Sequence, residues 1–312
     1  MQHALHALTD ELRRLKTAGV KTIAVSDASL LALRAVITGR GADRTRPVSP
    51  AEHLVPGAVS NRATPTASPS PPAPVVRPVA PPPPATPTLP PAPVVKLLDG
   101  DKTQRWTALL AMVTGDPVCR ANVRAGKKVV LGVGSLDAAI MFVGEAPGAE
   151  EEIQGEPFVG PAGQLLTKMI QGMGLKRSDV YIGNIMNWRP QTPTVEGREQ
   201  VGNRPPTEEE MRYCLPFLRA QIEVVNPGLI VALGSTAAQG LLGFGSFKAL
   251  GDIRGQWREF AGKPLMVTYH PSYILRNQSN RSKRMIWEDL LKVMERASLP
   301  VSEKQRGFFL ER

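Results

Sequence analysis

Two cysteines, four histidines and 5% aromatic residues in 312 positions exclude several classes of protein at once. Cys119 and Cys214 cannot build a disulfide framework or a four-thiolate metal site. His3, His6 and His53 lie in an N-terminal appendage, so His270 is the only histidine available to a folded domain, and a histidine-rich metal site there is excluded. No apolar run approaches the roughly 18 residues of a membrane span. Asp10, Glu11, Arg13, Arg14 and Lys16 break the apolar stretch that a secretory leader needs. There is no HExxH zinc spacing, no nucleophile elbow and no GK[ST] phosphate loop. These absences point to a cytoplasmic protein without a membrane segment.

Proline and charge are present in plenty. Of 30 prolines, 17 fall between residues 41 and 100, which excludes that stretch from a packed core and marks it as an extended polyproline-II linker. Ahead of it, Ala4, Leu5, Leu8, Leu12 and Leu15 recur at helical spacing, and Leu30, Leu33 and Val36 suggest a second helix. The domain reading is therefore a short helical segment over 1–40, a disordered Pro-rich linker over 41–98, a globular domain over 99–298 and a tail over 299–312. The formal charge of +10 suggests an anionic partner without choosing one.

From residue 100 onward, apolar runs alternate with helical patterns. Ala138–Val143, Val180–Ile185, Leu229–Leu233 and Leu265–Tyr269 read as buried strands. Helices are expected over Thr103–Val113, Ala162–Met173, Ser235–Leu242 and Ser282–Arg296. Another begins at Thr207, where Glu210 completes a capping box, and runs to about Val225. The alternation predicts an α/β fold in three layers, α/β/α, around a central four-stranded parallel sheet. Ligands of such sheets bind beyond the carboxyl ends of the strands. That rule gathers Gly144, Glu145, Ala146, Pro147 and Gly148, then Asn184, then Gly234-Ser235-Thr236, then His270 and Ser272 at one rim.

Two segments carry most of the chemistry. GEAPGAEEEIQGEPFVGPAG (Gly144–Gly163) combines glycines and prolines that let backbone approach a ligand with five carboxylates and Phe158. Its plain alternative is a solvated acidic loop. TYHPSYILR (Thr268–Arg276) puts His270 in a turn at a strand end, where it can donate to a developing oxyanion or simply hold the turn. Arg276, Arg281, Lys283 and Arg284 form a basic run suited to phosphates, or to an ordinary solvated surface.

Taken together, these segments resemble the family 4 uracil-DNA glycosylases. The first matches that family's GEAPG…E…PFVGxAG motif and HPSYILR its HPSxxLR motif. YIGNIMNWRP matches its N-x-x-x-C-R-P segment apart from the cysteine, and NRPPTEEEM…CLPFL matches the family's next stretch of chain. The resemblance covers about 103–297. It implies the uracil-glycosylase fold, excision of uracil from single- or double-stranded DNA in base-excision repair, and a monomer. It also implies roles by position: Phe158 stacking on the flipped uracil, Asn184 reading the base edge, and Gly144 and Ala146 beside the base. His270 would stabilise charge on uracil O2, and Glu151 or Glu145 would activate water or stabilise the sugar cation. DNA contacts would come from Pro147, Gly148, Ser272, Arg276, Arg281 and Lys283.

The sequence departs from the family twice. Family 4 enzymes hold a [4Fe–4S] cluster on four cysteines. Here Cys119 and Cys214 match two of them, while Asn122 and Trp188 stand at the other two. The expectation is accordingly no cofactor, the iron–sulfur cluster being absent and Trp188 filling its space. An insertion, Gln191–Val201, separates the motif halves and lacks the His of a related class that bonds to the abasic site. Two alternatives stand beside the enzyme: a lesion- or abasic-site-binding protein with little excision, and an adaptor role for the N-terminal segment toward a repair or replication protein.

Overall fold

The computed structural model describes residues 89–194 and 198–310. The expected N-terminal helices and most of the Pro-rich linker lie outside the described residues.

Four strands form the parallel centre of the sheet: β2 (Ile140–Gly144), β3 (Tyr181–Asn184), β4 (Leu229–Leu233) and β6 (Lys263–Thr268). Two short antiparallel edge strands extend it to six: β1 (Val133–Gly134) beside β3, and β5 (Trp257–Phe260) beside β6, in the order β1-β3-β2-β4-β6-β5. The expected four-stranded parallel sheet is thus the core of a mixed one. β5 escapes a periodicity reading because WREF is polar and half exposed. Its hairpin closes on Ala261 (φ 51°) and Gly262 (φ 71°), a two-residue turn with both residues left-handed.

The central strands read as unbroken apolar runs because both faces are covered. On β2, Met141 and Val143 face one core cluster while Ile140 and Phe142 face the other, as the two-residue repeat of a strand requires. The first cluster packs α1 (Lys102–Gly115), α2 (Pro117–Ala121), α5 (Glu208–Val225) and α6 (Ser235–Leu242). The second packs α4 (Pro161–Gly172) and α8 (Asn280–Arg296). α5 starts on the expected capping box: the Glu210 N–H donates to Thr207 Oγ1 at 3.2 Å, and the Thr207 N–H donates to Glu210 Oε2 at 2.7 Å.

Both ends of the domain reach further than expected. Leu89, Val95 and Leu97, placed in the linker by composition, pack on the first cluster. Past residue 298, Leu299, Val301 and Phe308 pack on the second, around a one-turn helix α9 (Glu303–Arg306). Trp287 Nε1 donates to the Gln305 carbonyl there, and Gln305 Nε2 to the Gly172 carbonyl at 2.8 Å. A few apolar residues suffice to dock a segment whose composition otherwise reads as linker or tail.

Candidate active site

A cleft of about 530 Å³ opens at the carboxyl ends of β2, β3, β4 and β6. The segment after β2 is not one loop, as its composition suggests, but holds the short helix α3 (Ala149–Gln154) and the first turn of α4. Nor is it merely solvated. Glu151 folds back on its own backbone: Oε2 accepts from the Gly148 N–H, and Oε1 from the Val159 and Gly160 N–H groups, each at 3.0 Å. Glu152 is buried in an ion pair with Arg189 at 2.8 Å.

That folded segment fixes Phe158. The residue has φ 55°, a left-handed backbone a bulky side chain rarely adopts, and is 6% exposed. Arg177 Nη2 donates to the Pro157 carbonyl at 2.6 Å, and a Cβ on Gly163 would meet the Phe158 carbonyl oxygen at 1.8 Å, so only glycine lets α4 approach this closely. The ring lies across Gly144, where a Cβ would sit 2.4 Å from the ring and 2.5 Å from Asn184 Oδ1.

Asn184 ends β3 and is 6% exposed, and its Oδ1 is buried without a hydrogen-bond partner among the described residues. A buried acceptor left unpaired is costly unless something else satisfies it. Opposite, the His270 and Phe158 ring centroids are 5.5 Å apart. His270 Nδ1 accepts the Ser272 N–H at 3.2 Å and lies 2.9 Å from Ser272 Oγ, which leaves the ring proton on Nε2. Burial, helped by the charge of Arg276, pushes the His270 pKa down to about 4, so the imidazole is neutral at neutral pH. Burial raises the Glu145 carboxyl above the usual range, opposed by the Thr236 hydroxyl.

Glu145, Ala146, Gly148, Glu151, Phe158, Asn184, His270, Ser272 and Arg276 all line this cleft, with Gly144 directly behind the Phe158 ring. Pro147 and Arg281 are not in its lining, and Lys283 lines a separate apolar cavity of about 300 Å³ with Trp287 and Phe308. α8 turns those two basic residues away from the cleft. Thr236, one of the residues gathered at the rim, follows β4 and engages Glu145. Sequence reasoning passed over other lining residues: Tyr269 and Tyr273 stack at 4.4 Å around His270. Asn203 lines the cleft while its Oδ1 accepts from Arg189 Nε at 2.8 Å. For the tyrosines a place just past β6 was the available signal, whereas Asn203 lies beside no strand end.

A family model described as the uracil DNA glycosylase superfamily matches residues 131–291. A type-4 uracil-DNA glycosylase of Thermotoga maritima is 46% identical over 165 residues, 53% of this chain and 80% of the relative. Type-4 enzymes of Pyrobaculum aerophilum and Saccharolobus solfataricus are each 40% identical, over 50% and 55% of this chain and 78% and 77% of theirs.

The expectation of no cofactor has to be corrected against these relatives. They are named as type-4 enzymes, the class that carries an iron–sulfur cluster, so kinship argues for such a group. The residues present do not fit a four-thiolate one. Cys119 and Cys214 are buried free thiols whose pKa values burial drives well up. The Asn122 amide donates to the Val118 carbonyl at 2.9 Å, and Trp188 is wholly buried 6.1 Å from the Tyr213 ring, its indole N–H without a partner among the described residues. Neither thiol lines the cleft.

Proposed function

The chain belongs to the uracil DNA glycosylase superfamily, and on that premise we propose that its cleft hydrolyses the N-glycosidic bond of a flipped-out deoxyuridine, leaving an abasic site in an uncut strand. The protein is a uracil-DNA glycosylase that binds uracil-containing DNA. The finer mechanism rests on its own side chains.

The observation that carries it is Asn184 Oδ1, buried beside the Phe158 ring and unpaired among the described residues. A uracil stacked on Phe158 offers that oxygen its N3–H, while the same amide donates to O4; cytosine, with an acceptor at N3 and a donor at C4, reverses both partners. A base inside a duplex is out of reach, so the nucleotide is swung out of the stack. As the glycosidic bond lengthens, negative charge moves to uracil O2, and the neutral His270 donates its Nε2–H there. Donors preorganised for developing charge contribute about 3–4 kcal/mol.

Water must then reach the cationic sugar carbon. Glu145 is the carboxylate for that task, since Glu151 already accepts three backbone N–H groups and serves as the brace of the loop. Ser272 orients His270, and Arg276 meets the phosphates beside the vacated base. A monomeric, cytoplasmic enzyme is part of this reading, as is the N-terminal segment as a tether to a repair or replication protein.

The test incubates the protein with a labelled uracil-containing oligonucleotide, single- and double-stranded, and cleaves abasic sites with alkali. Excision should fall about 100-fold or more in His270→Ala, in line with loss of one oxyanion donor, and sharply in Glu145→Gln. Binding to DNA without excision in the wild type would sink the proposal and leave a lesion-binding protein.

A further inference from the structure

The two segments in which this chain departs from its family's pattern touch each other. Gln191 Nε2, in the insertion, donates to the carbonyl of Asn122, which stands at a cysteine position, at 2.7 Å. Arg124 Nη2 donates to Gln200 Oε1 at 2.7 Å, and Lys127 pairs with Glu199 at 3.1 Å. Beside these braces lies a third cavity, open and about 590 Å³, walled by Arg120, Arg124, Lys127 and Lys128 with Glu156 as its one acid. Glu156 sits in the field of Arg177, and no described carboxylate pairs with Arg120 or Lys128. With Lys127 already paired to Glu199, Arg120, Arg124 and Lys128 still outnumber Glu156 on this wall, on exposed or half-exposed stems, and that local excess of positive charge suits a polyanion.

The cavity is coupled to the cleft by α3. The Lys128 N–H donates to the Glu152 carbonyl at 2.7 Å, and Gly155, at the far end of α3, lines the cavity, while Gly148 and Glu151 at its near end line the cleft. Six helical residues span about 9 Å, roughly three nucleotides at about 3.4 Å each. We infer that the turn after α2, braced by Gln191, Glu199 and Gln200, forms a phosphate-backbone subsite that holds the DNA strand a few nucleotides to one side of the flipped uridine. This extends the proposed uracil-excision reading and rests on it for the identity of the strand.

The probe is a long single-stranded oligonucleotide, without uracil for binding and with one central uracil for excision, set against a short oligonucleotide too small to reach past α3. The protein variant is Arg120→Gln with Lys128→Gln, both exposed positions outside the cleft. Each lost phosphate contact on single strands lowers the slope of log affinity against log salt by about 0.7. The double variant should therefore lose about 1.4 from the slope, and a fourfold rise in salt should weaken wild type about 7-fold more than the variant. KM on the long substrate should rise with kcat unchanged, and excision from the short one should be equal in both proteins. Neutral methylphosphonates on one flank should weaken wild type more than the same change on the other flank, a comparison that needs no mutant, and should weaken the variant less than wild type. Equal salt slopes, or equal sensitivity to the neutralised flank, would overturn the inference. A changed slope on uracil-free DNA with no excision by the wild type would instead retain the subsite and sink the catalytic reading.

Discussion

Gly144→Ala adds one methyl group where the structure leaves no room for it. Its Cβ would lie 2.4 and 2.6 Å from two Phe158 ring carbons and 2.5 Å from Asn184 Oδ1. Carbon–carbon contacts settle at about 3.5–4.0 Å, so the ring or the amide must retreat by about 1 Å. The ring cannot retreat freely, because the Phe158 backbone is held by Gly163 beneath it and by Arg177 through Pro157. Overpacking of this kind costs about 1–3 kcal/mol of stability. The larger effect falls on activity: a displacement of about 1 Å in a positioning group costs about 100-fold in rate. Thermal melting and kcat/KM on a uracil oligonucleotide measure the two separately. The cause is isolated by repeating Gly144→Ala in a Phe158→Leu background, where the shorter side chain vacates the contact. There the methyl should cost several-fold less, since residues in contact couple by about 0.5–3 kcal/mol. Additive effects, or a Gly144→Ala enzyme with wild-type kcat/KM, would refute the steric account.

Burial holds His270 at a pKa of about 4 against an ordinary 6.5. Its folded-state pKa is the lower one, so the unfolded chain binds more protons between these values, and stability falls as pH drops from 6.5 toward 4, by at most about 3 kcal/mol. His270→Gln should flatten that part of the stability–pH curve, and an unchanged curve contradicts the assignment. Removing Arg189 alone, as Arg189→Met, strands the buried Glu152 and should cost about 3–5 kcal/mol in denaturant melts. Much of this should return in Glu152→Leu/Arg189→Met, and a double variant as unstable as the sum of the singles would refute an unpaired charge as the cause. Both thiols, driven up by burial, should ignore a thiol reagent at mildly alkaline pH until the chain is unfolded; prompt labelling of the native protein would show that the site opens.

Much of the parallel centre was legible along the chain, because each central strand is a short apolar run wedged between amphipathic helices and a strand buried on both faces leaves that mark locally. The rim rule then collected Glu145, Asn184, His270 and Ser272 from distant stretches, since a parallel sheet sends every strand's exit to one side. The edge strands left no such mark, because half-exposed residues such as Arg258 and Glu259 need no apolar pattern. Only the tertiary structure told the surroundings of Glu145 and Glu151 apart: two carboxylates six residues apart in one segment look alike in sequence, but the fold turns three backbone N–H groups toward Glu151 and buries Glu145 beside Thr236. It also separated Arg276 from Lys283, because the turn between α7 (Ser272–Arg276) and α8 sends one side chain into the cleft and the other into an apolar cavity. The sequence determined which elements form and which chemical groups they carry, since those depend on local pattern and composition. The orientation of each group, and hence its charge state and contacts, was decided by packing between residues far apart in the chain.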